Sequence, residues 1–334
     1  MKVFLTGAFG NVGTSTLEEL VGRGHQVRCF DLKTKANRRA ARRFQGQIEV
    51  VWGDLRQPGA VADAVRGQDV VVHLAFIIPK MSATGVESER RPHWARQINI
   101  GGTRHLLSAM QALPTPPKLI FASSYHVFGQ TQAQLPPRTV SDPVCPTEHY
   151  SRHKVACERM IELSGLRWSI FRLAATLPLA IQLDPGMFDV PLWNRMEFVH
   201  TRDVGMAIAN GVTSDEIWGR TLLIGGGPRC QYMYHEIVEG ILGALGVGML
   251  PEEAFGSTPF ATDWVDSTES QTLLRYQRRD LEDYMAGMVE LAGSKRWLIR
   301  CFRPLVRFWL LMKSPYYRRA KLMWPKRTPA RSSI

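Results

Sequence analysis

In the stretch YSRHK a phenol, Tyr150, and an ammonium, Lys154, stand four residues apart. On a helix that spacing puts both side chains on one face, a single turn apart. A phenol of pKa about 10 is a poor base at neutral pH, so a cation beside it is needed to favour the phenolate. Such a pair could move a hydroxyl proton. Far upstream the chain opens with TGAFGNVG, in which Gly7, Gly10 and Gly13 recur every three residues. Glycines there let the backbone approach a pyrophosphate, and the start of the next helix offers free N–H groups to the anion. A turn for a dinucleotide and an acid/base pair together point to an oxidoreductase. Thr6, Gly7, Phe9, Gly10, Asn11, Val12 and Gly13 are then the turn residues expected to meet the cofactor.

The glycine spacing is not the common GxGxxG, so its surroundings must carry the reading. Residues 2–5 read as a short buried strand and residues 14–22 as the helix after the turn. A second strand, 26–30, ends in Asp31, about where an acidic side chain takes the ribose hydroxyls of NAD. A carboxylate there repels the extra phosphate of NADP. Lys33, Lys35, Arg38 and Arg39 follow closely enough to leave NADP open, whereas Arg42 and Arg43 read as a solvated face. NAD is the expected cofactor.

Further strands are expected at 50–52, 70–74 and 119–122, with helical patterns at 60–65 and 102–112. Alternation of this kind predicts an α/β fold, a Rossmann-type doubly wound parallel sheet with right-handed crossovers. Ligands bind at the carboxyl ends of such strands. That rule selects Asp54, Leu55, Leu74 and Ala75 as further cofactor contacts, and Ser124 beside them.

These pieces, taken in order, resemble the extended short-chain dehydrogenase/reductase family, often called NAD-dependent epimerases and dehydratases. The matching segments are TGAFGNVG, Asp31, GDL at 53–55, HLA at 73–75, QINIGGT around Asn99, SSYHVFG at 123–129, YSRHK and FVHTRDV at 198–204. They span roughly the first two hundred residues and, more loosely, continue to about Tyr284. The resemblance implies Ser124, Tyr150 and Lys154 as catalytic residues and Asn99 as a supporting polar group. Tyr150 and Lys154 would also touch the cofactor, the lysine through the nicotinamide ribose. Ser124 would orient the substrate oxygen while Tyr150 moves its proton. Members that dehydrate sugar nucleotides carry an acidic pair just after the serine or threonine. Tyr125 and His126 stand there, which disfavours dehydration. Dehydrogenase and epimerase both stay open, with a non-catalytic dinucleotide sensor as a third reading. Helices around 102–112 and 150–162 are those that family members pair into dimers, so a homodimer is expected by resemblance.

Only residues 173–197 separate Arg172 from the FVHTRDV stretch, where sugar-nucleotide enzymes usually carry a long insertion. The segment is apolar, including Leu177, Leu179, Ile181, Leu183, Met187, Phe188, Leu192, Trp193 and Met196, and its one basic residue is Arg195. A diphosphate would want more cations. The segment suits a small or hydrophobic substrate, or it is simply the core of a small lobe. Lys80, Arg90 and Arg91 in the loop 79–92 could still add positive charge.

At 334 residues the chain exceeds one compact core. A dinucleotide-binding domain is expected at 1–170, a smaller C-terminal substrate lobe at 171–290 and a basic amphipathic tail at 291–334. The five cysteines, Cys29, Cys145, Cys157, Cys230 and Cys301, suggest neither a disulfide framework nor a metal site. A strand at the very start leaves no room for a signal peptide, and a cytoplasmic location is expected.

The formal charge of +12 resides in the tail. Residues 291–334 hold 12 Lys and Arg and no acid, while the body balances 30 basic against 30 acidic residues. Arg296, Arg300, Arg303 and Arg307 form one helical stripe, and Trp297, Leu298, Phe302, Leu305, Trp309 and Met312 fill the rest. Pro304 is expected to kink this helix. The pattern fits a helix in the interface of an anionic membrane, arginines meeting headgroups. It fits equally a helix packing its Trp and Leu side on the body with the arginines solvated. Nothing in the body supports nucleic-acid binding.

Overall fold

The computed structural model describes residues 1–80, 85–181 and 184–323. Leu183, part of the loop 79–92 (residues 81–84) and the tail beyond 323 lie outside the described residues. In chain order the strands are β1 (Lys2–Thr6), β2 (Gln26–Asp31), β3 (Ile48–Trp52), β4 (Val70–His73), β5 (Lys118–Ser124), β6 (Trp168–Leu173), β7 (Arg195–Glu197), β8 (Arg220–Ile224) and β9 (Gln231–Met233). Seven of them form one parallel sheet in the order β3-β2-β1-β4-β5-β6-β8, and β7 pairs antiparallel with β9. The order reverses between β1 and β4, so a crevice opens at their carboxyl ends.

Alternation along each strand separates two cores. Val3 and Leu5 of β1 point into one layer with Val70, Val72, Ile120 and Phe171, while Phe4 points into the other with Val71, Leu119, Phe121 and Ile170. A strand buried on both faces must be apolar throughout, which is why these runs were legible. The first layer is closed by α1 (Asn11–Gly22) and α7 (Thr201–Thr213), and the second by α3 (Pro58–Val65), α5 (Thr103–Gln111) and α6 (His149–Glu162). Between these, α2 (Lys35–Ala41) follows β2, and α4 (Pro92–Arg96) runs through a π-helical turn at Gln97–Gly102 into α5.

Helix α1 begins three residues earlier than its periodicity predicts, because Gly10 serves as the extended residue at its start. Proline opens α3, where a missing N–H costs nothing. Helices α1 and α7 pack backbone to backbone: a Cβ on Gly205 would lie 2.6 Å from the carbonyl carbon of Ser15.

A third core belongs to the smaller lobe. Phe188, Met196, Phe198, Tyr234, Ile237, Val238 and Tyr284 fill it, contributed in part by α8 (Tyr234–Ala244), with α9 (Thr268–Leu274) and α10 (Leu281–Ala292) following in the chain. Leu177, Leu179, Met187 and Leu192 pack against the same core. Much of the apolar segment 173–197 is therefore lobe interior, the alternative its composition allowed. Arg195 is likewise occupied, paired with Asp263 at 2.6 Å and donating to the carbonyls of Thr131, Gln132 and Gln134.

The tail continues as α11 (Lys295–Cys301), α12 (Arg303–Lys313) and α13 (Pro315–Met323). Pro304 does not kink a helix here. It sits in the first turn of α12, after a break at Phe302, where its ring disrupts no hydrogen bond. Gly205→Ala is expected to cost about 1–3 kcal/mol of stability by forcing α1 and α7 apart, read as a lower urea midpoint at unchanged slope.

Candidate active site

Helix α6 carries the catalytic candidates on one face. Tyr150, Lys154 and Glu158 recur every four residues, facing the carboxyl end of β5. Glu158 anchors the far end: its buried carboxylate takes Arg172 of β6 at 2.9 Å and Ser123 Oγ of β5 at 2.5 Å. At the near end Glu89 caps the helix, accepting from His149 N at 3.1 Å and Tyr150 N at 2.9 Å. Carboxylates at a helix start are favoured by its free N–H groups.

Between these anchors Lys154 is buried. Its Nζ donates to Ala122 O at 2.5 Å and lies over the Phe76 ring at 3.5 Å from the centroid. An ammonium has three donors, and here one protein acceptor takes one of them. Loss of hydration pulls its pKa down to about 7. Tyr150 lies beside Ser124, and its ring stands edge-on to Phe76 at 5.8 Å and to His126 at 5.9 Å. Burial raises the Tyr150 pKa, with Ser124 opposing the shift. Lys154 Nζ lies 5.7 Å from the Tyr150 ring centroid but is aimed at Ala122 O, so at rest the phenol keeps its proton.

Asn99 sits in the π-helical turn and is fully buried. Its amide is consumed: Oδ1 accepts from Ile77 N at 2.7 Å, and Nδ2 donates to Ile77 O at 3.0 Å. It holds the segment leaving β4 in place. Thr6 does similar work, its hydroxyl taking Leu74 N and Ala75 N at 3.2 Å and meeting His73 Nδ1 at 2.7 Å.

Beside this group a cavity of about 390 Å³ runs along the strand ends. Gly7, Gly10, Asp31, Asp54, Leu55, Leu74 and Ala75 line it. Thr6, Phe9, Asn11, Val12 and Gly13 shape the turn instead of lining the cavity. Asn11 bonds Thr176 O, and a Cβ on Gly13 would fall 2.0 Å from Gly7 O. Gly7 adopts a positive φ and would clash with Ala75, whereas a Cβ on Gly10 would meet only Gly7 O, at 3.4 Å. The open space over Gly10 lies at the start of α1, which no side chain caps. Asp31 accepts from Phe9 N, Leu32 N and Asn37 Nδ2, three of the roughly four sites a carboxylate offers. Its pKa is raised by burial against those backbone bonds. Asp54 is held low by Arg56, at 2.6 Å.

An uncapped helix start, a glycine with room above it, a carboxylate with an acceptor site left and an ammonium with spare donors together fit a dinucleotide. Lys35, Arg38 and Arg39 on the exposed face of α2, and Arg42 just after it, lie away from this cavity's lining.

The chain's residues 3–176 match the model of the NAD dependent epimerase/dehydratase family. The chain belongs to that family. A 3 beta-hydroxysteroid dehydrogenase/Delta 5→4-isomerase of Mycobacterium tuberculosis is 32% identical over 162 residues, covering 48% of this chain and 42% of that protein. A UDP-glucose 4-epimerase of Klebsiella pneumoniae is 32% identical over 142 residues, 41% of this chain and 97% of the relative. The match to the steroid enzyme thus spans less than half its length. Among solved structures, a UDP-glucuronic acid 4-epimerase from Bacillus cereus, in complex with UDP-glucuronic acid and NAD, superposes with TM-score 0.72 at 18% identity, covering 87% of this chain and 98% of that one. A short-chain dehydrogenase/reductase superfamily protein from Agrobacterium tumefaciens with bound NAD gives 0.69 at 20% identity, over 92% and 100%. These likenesses establish the shared fold.

Reading the sequence missed Phe76, Glu89 and Glu148. Phe76 follows the HLA segment directly and joins the cavity to Lys154 and Tyr150. Glu148 accepts from or pairs with His126 Nδ1 at 2.9 Å, so a carboxylate reaches the position after Ser124 from elsewhere in the chain. Glu89 is far in sequence from the helix it caps, and no local pattern announces it.

The Lys154 shift has a sign that can be measured. Below pH 7 both folded and unfolded chains hold the proton and the burial penalty is complete; between about 7 and 10.4 only the unfolded chain holds it, so stability rises with pH. Lys154→Met is expected to unfold at a higher temperature than the wild type at pH 6, the gap closing toward pH 10. A less stable variant at pH 6 would mean the ammonium is satisfied in place.

Proposed function

We propose that the protein is an NAD-dependent oxidoreductase acting at a secondary alcohol or ketone of a small or hydrophobic substrate. The observation that carries the reading is the meeting of Ser124, Tyr150 and Lys154 at the end of β5, beside a cavity with Asp31 on its wall. Bound NAD would accept or deliver the hydride, and its oxidised ring would bring the positive charge that favours a phenolate. Ser124 orients the substrate oxygen, and Tyr150 holds or moves its proton. Lys154 directs its spare donors to the ribose and the tyrosine, and Asp31 accepts from the adenosine ribose. Asn99 acts as a positioning residue through Ile77.

Residues 1–170 would serve the dinucleotide and 171–290 the substrate. Sequestration of Arg195, and of Lys80 in its pair with Asp189 at 3.2 Å, supports a substrate without a diphosphate. The second reading, a sugar-nucleotide epimerase, is favoured by the similarity to the UDP-glucose 4-epimerase. Net reduction of added NAD marks a dehydrogenase; turnover on one retained cofactor marks an epimerase. We also read the protein as a cytoplasmic homodimer whose tail meets an anionic membrane surface. Light scattering of the full chain should give twice the monomer mass.

Tyr150→Phe should retain NAD and lose about 10² to 10⁴ in kcat across a panel of alcohols and ketones, followed by reduced-nicotinamide absorbance. Binding without turnover by the wild type over the whole panel would support a dinucleotide sensor instead.

A further inference from the structure

The arginine stripe of the tail reaches back to the carbonyls that follow α8. Arg296 donates to Ala244 O at 2.6 Å, Arg303 to Val247 O at 2.9 Å, and Arg307 to the carbonyls of Val247, Gly248 and Met249 at 3.1, 2.9 and 2.6 Å. The Arg300 stem lies against Gly246. Ala244 ends α8, and the following turn continues its row of free carbonyls, the place where a helix attracts cations. Leu310 is buried in the lobe core, and Ser314 Oγ donates to Ala254 O at 2.6 Å. The tail helices are therefore docked on the lobe by the face expected to meet headgroups or water.

That docking, in which Ile299, Val306, Leu310 and Leu311 pack on the lobe core, leaves other aromatic and aliphatic side chains outward. Trp297 is 66% exposed, Leu305 65%, Phe308 60% and Trp309 50%, with Leu298 and Phe302 beside them. Six large apolar side chains, five on two consecutive helices and Phe302 between them, form a patch of the kind that marks an interaction site. Around it stand Lys295, Lys313, Arg318, Arg319 and Lys321, exposed and, among the described residues, in no ion pair. No acid follows Glu290 in the chain.

We infer that this outward face of α11 and α12 is an interfacial seat for an anionic lipid bilayer. The inference deepens the membrane reading of the tail and is independent of the hydride-transfer chemistry. Charge selects the occupant. A second copy meeting this face isologously would bring two cationic rims together, whereas anionic headgroups complement the rim as acyl chains receive Trp, Phe and Leu. No helix among the described residues is long and apolar enough to cross a membrane, so the helices lie along the surface.

The test is co-sedimentation of the full chain with vesicles of phosphatidylcholine alone or mixed with phosphatidylglycerol, without substrate. The wild type should bind the anionic vesicles and release at high salt. Leu305→Ser/Phe308→Ser/Trp309→Ser should weaken binding at least about tenfold while circular dichroism and NAD binding stay unchanged. Arg307→Gln should lower the unfolding temperature and leave vesicle affinity intact. In case the triple variant misfolds, vesicles with brominated acyl chains should quench wild-type tryptophan emission, and Trp297→Phe/Trp309→Phe should remove that quenching. No binding by the wild type at low salt would end the membrane reading altogether. Wild-type affinity in the triple variant, or a triple variant that turns from dimer to monomer while still binding vesicles, would overturn the assignment of this face.

Discussion

The site depends on a charge taken out of water. Lys154 lies beneath the carboxyl end of the sheet with one carbonyl and an aromatic face for company, an arrangement that water would resist unless the surrounding structure held it. Helix α6 is pinned at both ends for that purpose. Glu158 binds Arg172 and Ser123 below, and Glu89 caps the helix above. With the axis fixed, residues one and two turns apart keep their distance from β5, and Ser124 falls within reach of Tyr150. The buried Glu158–Arg172 pair adds little net stability by itself; its value is in register.

The unfavourable position of the lysine and the raised pKa of the tyrosine have one cause, burial at the carboxyl end of the sheet. In the proposed reaction these two groups would meet partners that supply what the protein withholds: ribose hydroxyls for the ammonium, and positive charge for the phenolate. The same logic governs the turn at the start of α1. Gly7 and Gly13 are required by the backbone itself, while the freedom at Gly10 serves no contact within the chain. Strain and vacancy gather where function needs them, a general tendency of folded chains.

The lobe and the tail follow a different economy. Cations there are used up by carbonyls and carboxylates: Arg195 by Asp263 and three backbone oxygens, and the tail arginines by the end of α8. A stripe of charge on a helix is usually read as its wet face. Here a neighbouring helix ends in unpaired carbonyls, and those bind guanidinium groups more strongly than water holds them apart. The apolar side is left outward as a consequence of that choice.

What the sequence determined by itself is what depends on neighbours along the chain. Apolar runs such as 70–72 read as strands covered on both faces, glycines at fixed spacing between strand and helix read as a tight turn, and Tyr150 and Lys154 share a face because helices have a fixed pitch. The order of these pieces carried the fold, the cavity's lining and the family. The tertiary structure alone decided which groups are free. Whether Arg195 could meet a substrate, whether Lys154 would aim at the phenol or at Ala122, that Glu89 and Glu148 converge on α6 and His126, and which side of the tail faces out all turn on partners brought together from distant parts of the chain. A local pattern gives a side chain its direction, but its free energy is set by whatever the fold places opposite it.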